Sequence, residues 1–220
     1  MEDITITQKY ALCMLKEKKN LYSSEIMPYL IISMIVEMMI DDNLEIIDKN
    51  KVKLNDKMPV CEYNQKLYAI IKDMKKEEVS IKDIITSICY SFGSKKIKSI
   101  VEPLKEEMVK SELIFLKNKK GLFGNKQNII LNDEKFNNVI NELRSQLLHN
   151  KTMTDDIILL FSLLNLTKFL KNIITKYEKD ILDKKLKELE KTEIAQKVRI
   201  AKDVIDEMIV MYAAFITANS

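Results

Sequence analysis

The stretch from Glu25 to Asp41 reads EIMPYLIISMIVEMMID, and it decides the fold. Placed on a helix, its apolar residues cover almost the whole circumference, which is typical of a helix buried in a core. Ser23 and Ser24 stand where helix caps belong, and Pro28 is tolerated in a first turn. The stretch therefore predicts an apolar helix at the centre of the domain.

The rest of the chain predicts a mainly α fold, a single globular helical domain spanning residues 1–220 with two β-hairpins. Hydrophobic residues make up 46% of the 220 residues, and three glycines and three prolines leave few helix breakers. The hairpins pair Leu44–Ile47 with Val52–Leu54 and Leu113–Lys117 with Ile129–Leu131. A helix precedes each hairpin, so two similar units are expected. A first helix is predicted after a cap at Thr5 or Thr7. Further helices are predicted over 63–75, 81–92, 94–110, 134–148, 157–166, 178–190 and 193–217. Ser80 with Asp83 caps the helix at 81, and Asn132 or Asp133 caps the helix at 134.

The cysteines and the apolar runs indicate the compartment. Cys13, Cys61 and Cys89 are widely spaced and form no CxxC pair, which favours a reducing cytoplasm over a disulfide or zinc framework. The first three residues, MED, are acidic where a signal peptide is basic. No apolar run reaches the ~18 residues of a membrane span. We expect a cytoplasmic protein that does not cross a membrane but can lie on its inner face.

Catalytic and cofactor-binding motifs are missing from the sequence, including GxGxxG, the P-loop, HExxH and GxSxG. The single histidine, His149, stands at a predicted helix end, where a cap or solvated residue is the usual role. The acidic pairs Asp41-Asp42 and Asp155-Asp156 also stand at helix ends and favour caps or turns over acid–base chemistry. The sequence predicts a protein that is not an enzyme and uses no cofactor or metal.

All three glycines fall between residues 93 and 124, which indicates one special loop region. Lys95, Lys96 and Lys98 follow Gly93 at the start of a predicted helix, where free N–H groups and the helix dipole attract anions. We predict an anion-binding site there. A solvated, lysine-rich turn is the alternative in a chain with 36 cationic and 33 acidic side chains.

The second hairpin carries an apolar tip ringed by cations. Leu122 and Phe123 stand between Gly121 and Gly124. The surrounding lysines are Lys117, Lys119, Lys120 and Lys126. An apolar wedge with a cationic collar suits an anionic bilayer or a partner subunit. Folding of the two residues back onto the core is the alternative.

Several segments together form a recognisable pattern: ITIT (4–7), MIVEMMI (34–40) with LEI (44–46), VKSELI (109–114), GLFG (121–124), IL (130–131), the apolar stretch 157–166 and the closing amphipathic helices. In these segments, and over nearly its whole length, the chain resembles the Golgi phosphoprotein 3 family and its bacterial relatives. The resemblance implies a mostly helical, non-catalytic domain. Eukaryotic members of the family bind phosphatidylinositol 4-phosphate in a basic pocket, act as adaptors for Golgi glycosyltransferases, and use a hydrophobic hairpin for membrane contact and oligomerisation.

Carried onto this chain, the family's headgroup pocket corresponds to four positions. Its aromatic residue corresponds to Tyr22, and its basic residues to Ile31, Lys98 and Val101, of which only Lys98 is charged. The resemblance implies weak binding of an anionic membrane lipid, and a homo-oligomer formed through the second hairpin. The headgroup residues would be Lys98, Lys95, Lys96 and Tyr22, and the contact residues Leu122, Phe123, Lys119 and Lys120. No client protein is indicated.

Two other functions fit the pattern. Two helices joined at Gly93 and followed by a lysine-rich hairpin also describe a winged helix, with Ser94–Lys110 as recognition helix and residues 117–126 as wing. Glu102, Glu106 and Glu107 make that helix acidic and no arginine stands near it, which argues against nucleic acid. The remaining alternative is a scaffold that only self-associates through the hairpin.

Overall fold

The computed structural model describes residues 4–18, 20–23, 25–48, 51–89, 94–121, 124–148, 154–167 and 169–189. These residues form a mainly helical protein with two small antiparallel sheets, which confirms the predicted fold class at that level. The predicted helix over 193–217 lies outside the described residues. Buried apolar side chains from Ile6 to Leu182 belong to one core cluster.

The described helices follow the order expected from the sequence, with ends shifted by a few residues. They are α1 (Ile6–Lys18), α2 (Met27–Ile40), α3 (Glu62–Asp73), α4 (Ile81–Cys89), α5 (Lys95–Lys110), α6 (Asp133–Leu148), α7 (Asp155–Leu166) and α8 (Lys176–Leu189), with a 3-10 turn at Phe169–Asn172 between α7 and α8. The strands are β1 (Leu44–Asp48), β2 (Lys51–Leu54), β3 (Val79–Ser80), β4 (Ile114–Gly121) and β5 (Gly124–Leu131).

The first predicted hairpin gains a third strand that the sequence did not predict. β1 and β2 pair with each other, and β3 adds to the other edge of β2, where Lys51 lies opposite Ser80 and Val52 opposite Val79. A strand of two residues gives no alternating pattern, so the sequence did not reveal β3. β4 and β5 form the second hairpin, in register from the pair Ile114–Leu131 outward.

Helix caps of the expected residue types begin three of the helices. The Thr5 hydroxyl accepts the N–H of Gln8 at 3.2 Å, and the Gln8 side chain accepts the N–H of Thr5 at 3.3 Å. The Ser80 hydroxyl accepts the N–H of Asp83 at 3.0 Å. Asn132, rather than Asp133, caps α6 through the N–H groups of residues 134 and 135. Each cap satisfies donors that a helix start leaves free.

The apolar stretch of the sequence becomes α2, which begins two residues later than predicted. The carbonyl of Ser23 accepts the N–H groups of Ile26 and Met27, both at 3.0 Å, and Pro28 lies in the first turn as expected. α2 contacts α1, α3, α4 and β1. Its buried residues are Met27, Leu30, Ile31, Ile32, Ser33, Met34, Ile35, Val36, Glu37, Met38 and Met39.

One of these buried residues, Glu37, is a carboxylate that is only 5% exposed. Its oxygens accept three hydrogen bonds, from the N–H of Thr7 at 3.0 Å, the hydroxyl of Tyr63 at 2.6 Å and the amide of Asn64 at 2.8 Å. Burial raises the pKa of Tyr63 far above its usual value, and the Glu37 charge adds to this, so the phenol stays protonated and donates. Glu37 thereby joins α2 to the starts of α1 and α3.

α2 ends in a left-handed residue that turns the chain into the first hairpin. Asp42 has φ of 57°, and the N–H of Asn43 bonds the carbonyl of Met38 at 2.8 Å, which is the Schellman arrangement. The end of the hairpin returns to this turn, since Asn55 donates its N–H to Asn43 at 3.0 Å and its side-chain amide to the carbonyl of Asp42 at 3.1 Å.

α5 ends in the same way before the second hairpin. Glu112 has φ of 56°, and the N–H of Leu113 bonds the carbonyl of Met108 at 2.8 Å. Asn132 then donates its N–H to Leu113 at 3.0 Å and its side-chain amide to Glu112 at 2.9 Å. The two helix–hairpin units expected from the sequence therefore have the same type of turn, and an asparagine closes each of them in the same way.

We expect Glu37→Ala to destabilise the fold by about 3 kcal/mol, because it leaves the buried Thr7 N–H and Asn64 amide without their acceptor and the Tyr63 hydroxyl with only its contact to the Thr5 hydroxyl. Chemical denaturation followed by circular dichroism measures the change. Tyr63→Phe removes one of the three donors and should cost about 1 kcal/mol. Equal losses in the two variants would mean that the carboxylate does not organise the three helices.

We expect Asp42→Gly and Glu112→Gly each to stabilise the protein, by up to about 1 kcal/mol, since a left-handed conformation is strained for residues other than glycine. The control is Ser111→Gly, at an ordinary φ of −81°, where added backbone freedom in the unfolded chain should destabilise. A thermal melt that ranks the control above Glu112→Gly would contradict the assignment of strain to these turns.

Candidate anion and membrane-contact site

The start of α5 presents a cluster of exposed lysines. Lys95, Lys96 and Lys98 are all exposed in the first turn, and the N–H of Lys98 makes the first helical bond, to the carbonyl of Ser94 at 2.9 Å. The Ser94 side chain does not cap the helix. Among the residues that the structure describes, none forms an ion pair with these three lysines. Within the described residues, three positive charges therefore stand without an ion-pair partner at the positive end of a helix dipole.

Tyr22, the expected aromatic residue of the site, packs against the side of α5. Its hydroxyl donates a hydrogen bond to the carboxylate of Glu102, and the ammonium of Lys105 lies 5.9 Å from the centre of its ring. Lys98 and Glu102 are four residues apart on one helix, so they are neighbours on its surface. The structure thus brings Tyr22 within a helical turn of Lys98, with its hydroxyl already bonded to a carboxylate.

The two uncharged pocket positions are part of the core. Ile31 on α2 and Val101 on α5 are completely buried. Neither side chain reaches the surface on which Lys98 stands. Of the four positions that correspond to the family's headgroup pocket, only Lys98 and Tyr22 therefore carry side chains that can contact a headgroup.

The predicted hairpin tip falls at the edge of what the structure describes. β4 and β5 pair as far as Gly121 opposite Gly124. Leu122 and Phe123, between these glycines, lie outside the described residues. Only the backbone of Lys119 and Lys120 is described. Gly93, before α5, also lies outside the described residues. The contact predicted for these four side chains stays a prediction.

An apolar pair lower on the hairpin was not anticipated. Phe115 and Ile130 lie opposite each other across the two strands and are 48% and 44% exposed. Because side chains alternate along a strand, the burial of Ile114 directs its neighbour Phe115 to the outer face. Residues 113–116 are all apolar, so the sequence held no alternation that could have marked Phe115 as exposed. The pair gives the hairpin an apolar outer face beneath its tip.

Burial makes all three cysteines poor nucleophiles. It raises the pKa of Cys13 and Cys89 to about 12 and that of Cys61 to about 11, so each is a thiol at neutral pH. His149 lies outside the described residues. Among the residues that are described, no group of three or more His, Cys, Asp or Glu could hold a metal ion.

The acidic pairs at helix ends have local roles where their side chains are described. Asp42 supplies the left-handed turn after α2, and burial raises the pKa of Asp41. Asp156 lies 3.8 Å from Lys9, whose ammonium also pairs with Glu142 at 3.0 Å. These contacts connect α1 to α6 and α7.

Comparison with models of protein families gives no match, and no curated protein matches the sequence. In the described part of the chain, no helix has the length and apolar character to span a membrane. Membership of the Golgi phosphoprotein 3 family therefore stays a prediction that rests on the sequence segments quoted above.

Proposed function

We propose that this chain is a non-catalytic peripheral membrane protein, a single Golgi phosphoprotein 3-like domain over residues 1–220 with the apolar helix α2 at its centre. It binds anionic lipid headgroups weakly and contacts a membrane or a partner subunit through the hairpin β4–β5. It is cytoplasmic, uses no cofactor, and works at the inner face of a membrane.

The observation that carries the proposal is the cluster of Lys95, Lys96 and Lys98, which are exposed and form no ion pair with any residue that the structure describes. Each lysine near an anionic surface contributes about 1 kcal/mol of binding free energy, so three contribute roughly 3 kcal/mol. A lysine ammonium is a compact point charge and lacks the planar fork with which arginine binds phosphate. The binding that follows is electrostatic, sensitive to salt and not selective among anionic headgroups.

The hairpin supports the proposal as the apolar half of the contact. Phe115 and Ile130 expose apolar surface on its outer face. The predicted tip, Leu122 and Phe123, extends this surface in the sequence. Apolar insertion together with a basic cluster gives firmer membrane binding than either alone. The same surface suits self-association, so a homo-oligomer belongs to the proposal as well.

Nucleic-acid binding is the weaker alternative. Helices α4 and α5 and the hairpin follow the order of a winged helix. However, α5 buries Ile100, Leu104 and Met108 and packs against α3. Glu106 stands on the exposed part of the same helix, where it would repel phosphate.

Vesicle sedimentation tests the lysine cluster. We expect the protein to sediment with vesicles of phosphatidylcholine, phosphatidylserine and phosphatidylinositol 4-phosphate, and not with phosphatidylcholine alone. Lys95→Gln/Lys96→Gln/Lys98→Gln should weaken binding on the order of 100-fold, which corresponds to the loss of roughly 3 kcal/mol. The control, Lys72→Gln/Lys171→Gln/Lys184→Gln, removes the same charge from exposed lysines elsewhere. Equal weakening by both triple variants, or no binding by the unaltered chain, would refute the proposal.

The hairpin is tested in the same assay. Leu122→Ser/Phe123→Ser should weaken vesicle binding, whereas Met58→Ser/Val60→Ser, which removes two exposed apolar side chains from another loop, should not. Light scattering separates the two roles of the hairpin, since loss of an oligomer with vesicle binding intact would leave only the scaffold function. Binding of a DNA duplex that survives moderate salt would favour the nucleic-acid alternative.

A further inference from the structure

The loop between β2 and α3, residues 55–61, presents two apolar side chains to solvent. Met58 is 55% exposed and Val60 is 90% exposed, whereas Pro59 between them is buried. Val60 has the largest exposed fraction of any large hydrophobic residue that the structure describes. Because the proline points inward, its two neighbours are held on the outer side of the loop. They form an apolar surface that no described part of the chain covers.

Side chains from outside the loop hold its backbone in place. The segment contains no helix or strand, yet its carbonyl groups at positions 55, 57, 59 and 60 each accept a hydrogen bond from a side chain. Gln65 donates to the last two at 3.0 and 3.2 Å, Tyr68 to the first at 2.7 Å, and Asn43 to the second at 3.3 Å. A loop that is already ordered loses little entropy when it binds, so the two apolar side chains are preorganised for a contact.

The surface around the two apolar side chains is acidic. The carbonyl of Asp42 accepts the side-chain amide of Asn55 at 3.1 Å, so the end of α2 adjoins the loop, and the start of α3 follows the loop directly. These three segments carry four exposed carboxylates and two exposed ammonium groups, a formal charge of −2. The carboxylates are those of Asp41, Asp42, Asp56 and Glu62, and the ammonium groups are those of Lys57 and Lys66, of which Lys66 pairs with Glu62 at 3.5 Å.

We propose that the 55–61 loop docks into a partner protein, with Met58 and Val60 entering an apolar pocket that lysine or arginine side chains border. Exposed apolar side chains within a polar rim are typical of protein interaction sites. The charge of the rim decides the class of partner, because carboxylates are repelled by an anionic bilayer and attracted by a basic protein surface. The inference goes beyond the proposed membrane function and does not depend on it.

A second copy of this chain fits the loop less well than a different protein. A two-fold contact places the same surface on both sides, so the acidic rims of the two copies would face each other. Contact with the lysine-rich hairpin of another copy would be head-to-tail, and such contacts continue into a ring or a filament. Self-association that depends on Met58 and Val60 is therefore a separate outcome, which light scattering detects and which would overturn the proposal.

Photo-crosslinking in the cells that make the protein identifies what contacts the loop. The photoreactive residue p-benzoylphenylalanine is incorporated in place of Val60, whose high exposure leaves room for it, and mass spectrometry identifies the linked product. In the control the probe takes the place of Tyr177, which is 72% exposed on α8. We expect a different protein to be linked from position 60 and not from position 177. A link to the same chain or to a second copy, the same product from both positions, or no product from position 60 would contradict the proposal.

The linked protein is then purified and titrated against variants of the loop. Met58→Ser/Val60→Ser should weaken its binding at least about tenfold, since buried anchor side chains carry most of the energy of an interface. The matched control is Ile47→Ser/Tyr177→Ser, which removes two exposed apolar side chains elsewhere and should change nothing. Thermal melts verify that each variant is folded. Equal binding by the loop variant and the unaltered chain would overturn the proposal.

The acidic rim is tested separately with the same purified partner. Asp41→Asn/Asp42→Asn/Asp56→Asn should slow association and remove most of its dependence on salt, because rim charges act mainly on the association rate. An unchanged rate and salt dependence would mean that the partner's surface is not basic, and would refute the proposed class of partner. Vesicle sedimentation of the loop variant distinguishes the two functions, since it should bind vesicles normally while it loses the partner. Failure of the membrane proposal leaves this result unaffected.

Discussion

A buried carboxylate, that of Glu37, organises the core of this protein. Among the described residues, no cation pairs with it. Glu37 stands on α2, the most apolar of the described helices, and its charge is compensated by a backbone amide, a phenol and a carboxamide from two other helices. Each donor must approach from a fixed direction, since a buried charge without hydrogen bonds is very costly. The carboxylate therefore determines where α1 and α3 begin relative to α2, which hydrophobic contacts alone would leave adjustable.

The position of α3, which Glu37 fixes, in turn fixes the position of α5, the helix that carries the lysines of the candidate site. α3 packs along α5, and the Glu107 carboxylate of α5 accepts the N–H of Glu62 in the first turn of α3 at 2.7 Å. Burial raises the pKa of Glu107, which indicates a partly desolvated contact between the two helices. With Ile100, Val101 and Leu104 fixed inward, the helix has to present Lys95, Lys96 and Lys98 outward. The position of the lysines is thus a consequence of core packing.

Local chemistry made much of the fold predictable, and contacts distant in the chain account for what was missed. The caps at Thr5, Ser80 and Asn132 follow from residue types that satisfy free helix donors. The left-handed turns were hidden because Asp42 and Glu112 occupy positions at which glycine is the usual signal. Nothing local shows that Tyr22 meets Glu102, eighty residues later. The part of the candidate site that the sequence could indicate was the lysine cluster, and its relation to Tyr22 needed the tertiary structure.

The third strand of the first sheet makes the first helix–hairpin unit dependent on the segment that follows it. β3 stands directly before α4, in the segment between the two units, and it pairs with β2 of the first unit. During synthesis the outer edge of β2 therefore stays open until residues 79 and 80 leave the ribosome, on the order of seconds after β2 itself at usual elongation rates. An open edge of this kind can template pairing with another chain. The first unit is therefore protected from such pairing only when the segment that carries β3 follows it, so a chain that ended after β2 would keep an open strand edge.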